Sequence, residues 1–198
     1  HGIFVLGTTG EASSVPPDMC SRLIAATVDQ VGDQAKTYAG IGDTCFSRSV
    51  EAACEYFNLG IDVVVAHLPS YYALTPQQQL EWYSSLAREV PGPLMLYNMP
   101  STTHMSIPID IIEQLADHVN IIGLKDSEND FDRFTEVMSR LGGRSDFSIF
   151  VGVSSLASKA MALGVDGFVP SPGNLVPEAC YSVYERAIAG DLAGTEVH

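Results

Sequence analysis

The sequence predicts a parallel α/β fold of the (β/α)8 barrel type, and three observations carry that prediction. Seven short apolar runs recur at even spacing, near residues 3, 38, 62, 94, 121, 148 and 167. Each run is followed by a segment of helical periodicity. The runs are continuously apolar rather than alternating, as parallel strands covered on both faces must be. An open doubly wound sheet would show fewer units and a glycine-rich dinucleotide turn. Closure of a barrel needs one more strand, so the first β/α unit and the C-terminal helices are expected to be missing from this chain. Residues 1–198 then form a single partial barrel domain, strands 2 to 8, starting abruptly at Gly2. The usual barrel length of about 250 residues agrees.

In chain order, Gly2-Ile3-Phe4-Val5-Leu6 is the first strand and Gly7-Thr8-Thr9-Gly10-Glu11 a small-residue turn. A helix starts near Pro16-Pro17-Asp18 and runs to about Val31, because proline loses nothing in a first helical turn. The second strand is Thr37 to Ile41, and its helix should present Val50, Ala53, Cys54 and Phe57 on one face, with Gly60 at C′. Ile61 to Ala66 is the third strand, opening into His67-Leu68-Pro69-Ser70-Tyr71-Tyr72. Thr75-Pro76-Gln77-Gln78 announces the next helix: Thr75 can cap, Pro76 sits at N1 and Gln78 completes a capping box. Pro93 to Tyr97 is a strand ending in Asn98-Met99-Pro100, followed by a helix from Pro108 to His118. Ile121 to Lys125 is the fifth strand, and Asn129 or Asp130 caps the helix carrying Phe131, Phe134, Val137, Met138 and Leu141. Phe147 to Val151, a helix from Ser154 to Leu163, Gly167 to Ser171 and a helix from Pro177 to Ala189 complete the series.

Composition narrows the function. The formal charge of −14, from 24 acidic against 10 basic residues, repels nucleic acid and anionic membrane. The apolar runs are too short for a spanning helix, which needs about 20 residues. Cys20, Cys45, Cys54 and Cys180 show no metal spacing and are expected to be reduced, mostly buried thiols of a cytoplasmic protein.

In a barrel the chemistry sits at the C-terminal ends of the strands. Those positions here hold Thr8, Thr9, Glu11, Asp43, His67, Tyr97, Asn98, Lys125, Asp126, Ser154 and Ser171. The three lysines of the chain are Lys36, Lys125 and Lys159, and Lys125 alone closes an apolar strand. Burial makes its cation costly, so it is either paired, with Asp126 or another carboxylate, or a neutral nucleophilic amine. Such an amine would form a Schiff base with a ketone or aldehyde. Gly7 to Gly10 offers backbone N–H groups and two hydroxyls for a carboxylate. Tyr97 can move protons near the amine or simply pack. Glu11, Asp43, His67 and Asp126 lack tight ligand spacing, so no metal site is expected.

Gly7-Thr8-Thr9-Gly10-Glu11, Tyr97-Asn98-Met99-Pro100 and Gly123-Leu124-Lys125-Asp126 resemble, in order and spacing, the signatures of the dihydrodipicolinate synthase/N-acetylneuraminate lyase family of class I aldolases. The resemblance extends over essentially the whole chain. It implies a carbon-carbon lyase in which Lys125 forms a Schiff base with pyruvate or the 2-oxo carbon of a longer acid, with no other cofactor. Tyr97 would relay protons, and Thr8, Thr9 and Gly10 would hold the carboxylate and link to the tyrosine. Tyr72, second of a double-tyrosine loop, would enter a neighbouring subunit's site in a homotetramer.

The departures bear on the substrate. Ser101-Thr102-Thr103-His104 places Thr102 where dihydrodipicolinate synthases carry an arginine for the aldehyde's carboxylate, and Gly152-Val153-Ser154-Ser155 lacks the acidic residues of sialic acid lyases. Hydroxyls at Thr102, Thr103, Ser154 and Ser171 fit a neutral sugar-acid tail, so the expected substrate is a 2-oxo-3-deoxy sugar acid. The alternatives are 4-hydroxy-tetrahydrodipicolinate synthesis from pyruvate and aspartate semialdehyde, or a non-catalytic barrel that binds 2-oxo acids. His104 is a further candidate for contact with the tail.

Overall fold

The computed structural model describes residues 1–191; residues 192–198, the end of the expected domain, lie outside the described residues. Seven strands form one sheet: β1 (Gly2–Val5), β2 (Lys36–Gly40), β3 (Val63–His67), β4 (Leu94–Asn98), β5 (Ile121–Asp126), β6 (Ser148–Val151) and β7 (Gly167–Phe168). Neighbours in sequence are neighbours in the sheet, and every pairing is parallel. The helices between them are α1 (Pro17–Val31), α2 (Phe46–Asn58), α3 (Pro76–Glu89), α4 (Pro100–Thr103), α5 (Ile109–Leu115), α6 (Phe131–Leu141), α7 (Ala157–Ala162) and α8 (Pro177–Ile188).

The sheet curls and brings the segments flanking β1 and β7 together, although β1 and β7 are not paired with each other. Thr9, just past β1, places its hydroxyl 2.9 Å from that of Ser171, just past β7. The His1 ring lies 5.4 Å from the Tyr181 ring and 4.9 Å from that of Tyr184, both on α8. All strands therefore present their C-terminal ends to one rim.

Curling separates two apolar layers. The outer one, between sheet and helices, holds Val64, Ala66, Leu94, Leu96, Ile121, Leu124, Phe134 and Val137 among others. The inner one holds Val63, Val65, Met95 and Tyr97, with Phe4, Tyr38, Ile122 and Phe150 against them. Alternation along β3 and β4 assigns residues to the two layers, as strand geometry requires.

Local sequence accounts for the helix ends. Thr75 and Gln78 form the reciprocal capping box: the Gln78 N–H donates to Thr75 Oγ1 and the Thr75 N–H to Gln78 Oε1. Thr75→Ala removes that acceptor, and we expect a loss of about 1 kcal/mol in a urea unfolding titration. Asp130, rather than Asn129, caps α6 by accepting from the Arg133 N–H at 3.0 Å.

Three details differ from the sequence-based expectation. The core face of α2 is Ser49, Ala53 and Tyr56, one position round from the expected stripe, so Cys54 is exposed and Val50 and Phe57 are half-buried. Both stripes have helical spacing; Tyr56 brings more surface to bury than Cys54, and Ser49 is small enough to sit beneath the helix. Of the four thiols only Cys20 is buried; Cys45 and Cys54 are exposed and Cys180 is half-buried. The last strand is shortened to Gly167–Phe168 because Pro170 cannot donate to a ladder, although the Val169 N–H still reaches the Val151 carbonyl at 2.9 Å.

Among the described residues no helix is long and apolar enough to cross a membrane.

Candidate active site

The direction of the Lys125 side chain depends on an irregularity in β5. Ile121 pairs with Leu94 but Gly123 pairs with Met95, so Ile122 is an extra residue, a β-bulge. Ile121 and Leu124 both face the helices, three residues apart, which regular alternation forbids. The bulge reverses the phase, and Lys125 faces inward in register with Tyr97. Gly123 is required there: a Cβ would lie 2.4 Å from the Ser148 carbonyl oxygen.

Lys125 is 7% exposed. Its Nζ lies 4.1 Å from the centroid of the Tyr97 ring and 4.9 Å from that of Phe4, so aromatic faces make much of its surroundings. Among the described residues it forms no ion pair with a carboxylate. Burial pushes its amine below the ordinary lysine value, with Tyr97 pulling the other way.

The sequence left open an ion pair between Lys125 and Asp126, and the structure excludes it. Asp126 points to the opposite face, where Arg133 on α6 takes its carboxylate. Asp126 Oδ1 also accepts from the Asn98 amide at 3.0 Å and from the Glu128 N–H at 2.9 Å. Arg133 reaches Glu128 at 3.2 Å and donates to the Ile107 carbonyl at 2.7 Å. Asn98 Nδ2 donates to Glu128 at 2.9 Å, and Asn98 Oδ1 accepts from the Ile107 N–H at 3.0 Å. Burial raises the Asp126 carboxyl, and Arg133, the Glu128 N–H and the Asn98 amide pull it back down. This network ties the ends of β4 and β5 to α6 and to the segment before α5. Sequence reasoning missed Arg133 and Glu128. The available signal was their spacing, Glu128 two residues and Arg133 seven residues beyond Asp126, across a turn into a capped helix.

Tyr97, 4% exposed, closes the inner layer, and its hydroxyl lies 3.2 Å from Thr8 Oγ1. Thr8, Thr9 and Gly10 sit in a turn bounded by Leu6 and Glu11, both at positive φ (55° and 54°). The Glu11 N–H donates to the Thr8 carbonyl at 3.1 Å, and among the described residues the N–H groups of Thr8, Thr9 and Gly10 make no backbone hydrogen bond. Thr8 thus meets Tyr97, and Thr9 meets Ser171 at 2.9 Å.

Two further sequence candidates stand apart. Tyr72 is 73% exposed, its ring 4.8 Å from that of Tyr71. Thr102 is exposed on α4, a helix the sequence did not suggest, and its hydroxyl donates to the Met99 carbonyl at 3.2 Å. Thr103 is buried, donating to the Met105 carbonyl at 3.0 Å, and the exposed His104 ends α4 in the left-handed region at φ 58°. Among the described residues no group of three or more His, Cys, Asp or Glu could hold a metal ion.

Known proteins share both sequence and fold with this arrangement. The chain is 31% identical over 194 residues to the 4-hydroxy-tetrahydrodipicolinate synthase of Methanothermobacter thermautotrophicus, covering 96% of this chain and 68% of that protein. The corresponding enzyme of Marinobacter nauticus is also 31% identical, with 65% of its length covered. The crystal structure of dihydrodipicolinate synthase from Acinetobacter baumannii complexed with pyruvate superposes with a TM-score of 0.93 at 29% identity, over 98% of this chain and 66% of that one. The synthase structure from Bacteroides thetaiotaomicron gives 0.91 at 34% identity, over 96% and 64%. The chain thus spans about two thirds of the length of the relatives it matches. The family model described as the dihydrodipicolinate synthetase family matches residues 1–198. With strand order, the inward lysine and whole-chain similarity in agreement, this chain belongs to the dihydrodipicolinate synthetase family.

Proposed function

We propose that these residues carry the catalytic centre of a Schiff-base aldolase that cleaves or forms a pyruvate-derived 2-oxo acid. The observation that carries this reading is a buried lysine whose neighbouring carboxylate is held away by Arg133. An amine below its ordinary pKa is neutral more often than that of an exposed lysine, and a neutral amine is a nucleophile. Lys125 Nζ attacks the 2-oxo carbon, water departs, and an iminium forms. Thr8, Thr9 and Gly10 bind the carboxylate through hydroxyl and N–H donors. Tyr97 takes the proton of the C4 hydroxyl, the C3–C4 bond breaks, and its electron pair moves into the iminium to give an enamine. The aldehyde leaves, C3 is reprotonated, and water returns pyruvate and the free amine. The covalent bond to Lys125 does the work of a cofactor in this scheme.

The pyruvate complex of the Acinetobacter baumannii relative supports pyruvate as the 2-oxo acid head. For the remainder we favour a 2-oxo-3-deoxy sugar acid, with Ser171 beside Thr9 at the mouth. Synthesis of 4-hydroxy-tetrahydrodipicolinate is the second reading, favoured by the names of the relatives. Thr102 counts against it, because its hydroxyl cannot replace a guanidinium in binding a second carboxylate.

We further propose that the curled sheet belongs to one eight-stranded barrel domain, with the eighth unit inserted between the edges of β7 and β1. The exposed Tyr71–Tyr72 pair would then reach a neighbouring subunit of a homotetramer in the cytoplasm. Sodium borohydride added with pyruvate should leave a stable adduct on Lys125, located by peptide mass spectrometry. An unmodified Lys125 would sink the mechanism, and pyruvate release from a panel of 2-oxo acids would identify the tail.

A further inference from the structure

His67 closes β3 and has no task in the mechanism above. It is in register with Tyr97, which is in register with Lys125. Registered residues of parallel strands project to the same face, so the three side chains share one rung at the rim. The His67 and Tyr97 rings lie 6.3 Å apart in an edge-on arrangement, with the Lys125 amine over the Tyr97 ring at 4.1 Å.

The chemistry of this imidazole is set by its surroundings. Nδ1 lies 2.7 Å from the Leu68 carbonyl oxygen. A carbonyl only accepts, so Nδ1 carries the hydrogen and the neutral ring keeps its lone pair on Nε2. The ring rests on Gly42, where a Cβ would lie 2.4 Å from Nε2, 2.5 Å from Cδ2 and 2.7 Å from Cε1. Those near-equal distances describe contact with the ring's face. The Nε2 lone pair lies in the ring plane and is not spent on Gly42. Among the described residues Nε2 has no hydrogen-bond partner, and His67 is half-buried.

Several other polar groups at the rim already have partners within the protein. Asp43 accepts from the Cys45 N–H at 2.8 Å, Asn98 and Asp126 belong to the Arg133 network, and Thr9 and Ser171 bond each other. We propose that His67 is a specificity-determining residue, its Nε2 accepting a hydrogen bond from a hydroxyl on the part of the substrate beyond the 2-oxo acid head. The ligand class is a neutral, hydroxyl-bearing chain, since in the tautomer that the Leu68 carbonyl sets Nε2 is an acceptor and a hydroxyl can donate to it. This inference rests on the Schiff-base reading above.

Two substitutions separate recognition from packing. His67→Asn keeps an amide where Nδ1 lies, so the tether to Leu68 survives, but has no acceptor at Nε2. His67→Gln places an amide oxygen near Nε2 and should restore recognition. The complete polypeptide carrying these residues is assayed on a six-carbon 2-oxo-3-deoxy sugar acid and on 4-hydroxy-2-oxopentanoate, which has no hydroxyl beyond C4. For His67→Asn we expect kcat/KM on the sugar acid to fall about tenfold, mainly through KM, as for loss of one neutral hydrogen bond. His67→Gln should stay within about threefold of wild type. Borohydride trapping of pyruvate, which has no tail, and turnover of the short acid should change little in either variant. The inference is overturned if His67→Asn loses both substrates equally, if it loses neither, or if His67→Gln fails alongside it. A wild-type protein that traps pyruvate but cleaves no hydroxylated 2-oxo acid would overturn it while leaving the Schiff-base reading standing. Absence of trapping in the wild type would instead remove that reading.

Discussion

Lys125→Met should abolish turnover and borohydride trapping while raising stability at neutral pH. Methionine fills much of the same volume without a charge, and loss of a nucleophile lowers kcat by about 10⁴-fold or more. The gain in stability, about 1 kcal/mol, is the trade-off expected where function requires a buried ionisable group. Its pH dependence follows from the depressed pKa of the amine, caused first by burial. Below the native value both states are protonated, and burial of the cation costs stability in full. Between the native value and the ordinary lysine value of 10.5 the unfolded chain binds more protons, so wild-type stability rises with pH. The advantage of Lys125→Met should therefore shrink as pH climbs through that window. Urea midpoints at several pH values provide the measurement, and a gap that widens with pH would refute the linkage.

Arg133→Met should destabilise the protein by about 3–5 kcal/mol, because it leaves a buried carboxylate without its cation. Arg133 is 13% exposed and Asp126 1%, so solvent replaces little of what is lost. The sign of the pH effect again comes from the direction of the shift. Burial raises the Asp126 carboxyl, and Arg133 is the first of the groups that lower it. Without Arg133 the native carboxyl holds its proton more tightly than the unfolded one, so the variant loses stability as pH rises from the ordinary aspartate value of 3.8 through its native value. The deficit should be smallest in acid. Asp126→Asn combined with Arg133→Met removes both charges and should recover a large part of the loss. Equal deficits in the single and double variants would show that the guanidinium acts only by filling space.

Much of the architecture was legible in the chain because its signals are local. Apolar runs of strand length each precede a helix, and Thr75 and Gln78 specify a cap within one turn. The motifs around Thr8, Tyr97 and Lys125 lie at the ends of β1, β4 and β5, and a parallel barrel brings strand ends to one rim whatever lies between them. Their identity as candidates therefore needed only the order of elements.

The remainder depended on contacts between segments distant in sequence. The strand Ile121 to Asp126 reads as a plain apolar run, and simple alternation puts Lys125 on the same face as Ile121, toward the helices. The bulge at Ile122 reverses this, and it exists only as a mismatch with the register of β4. The partner of Asp126 was open between Lys125 and anything else cationic until α6 brought Arg133 beneath the end of β5. The face of α2 was uncertain by one position, since two helical stripes with similar spacing compete and the packing against neighbouring elements decides. Sequence by itself determined the order of strands and helices and which residue types stand at the rim, because propensity, capping and hydrophobic period act over a few residues. Only the tertiary structure decided which way Lys125 points and which cation takes Asp126, because register and ion pairing are settled by neighbours that come together when the sheet curls.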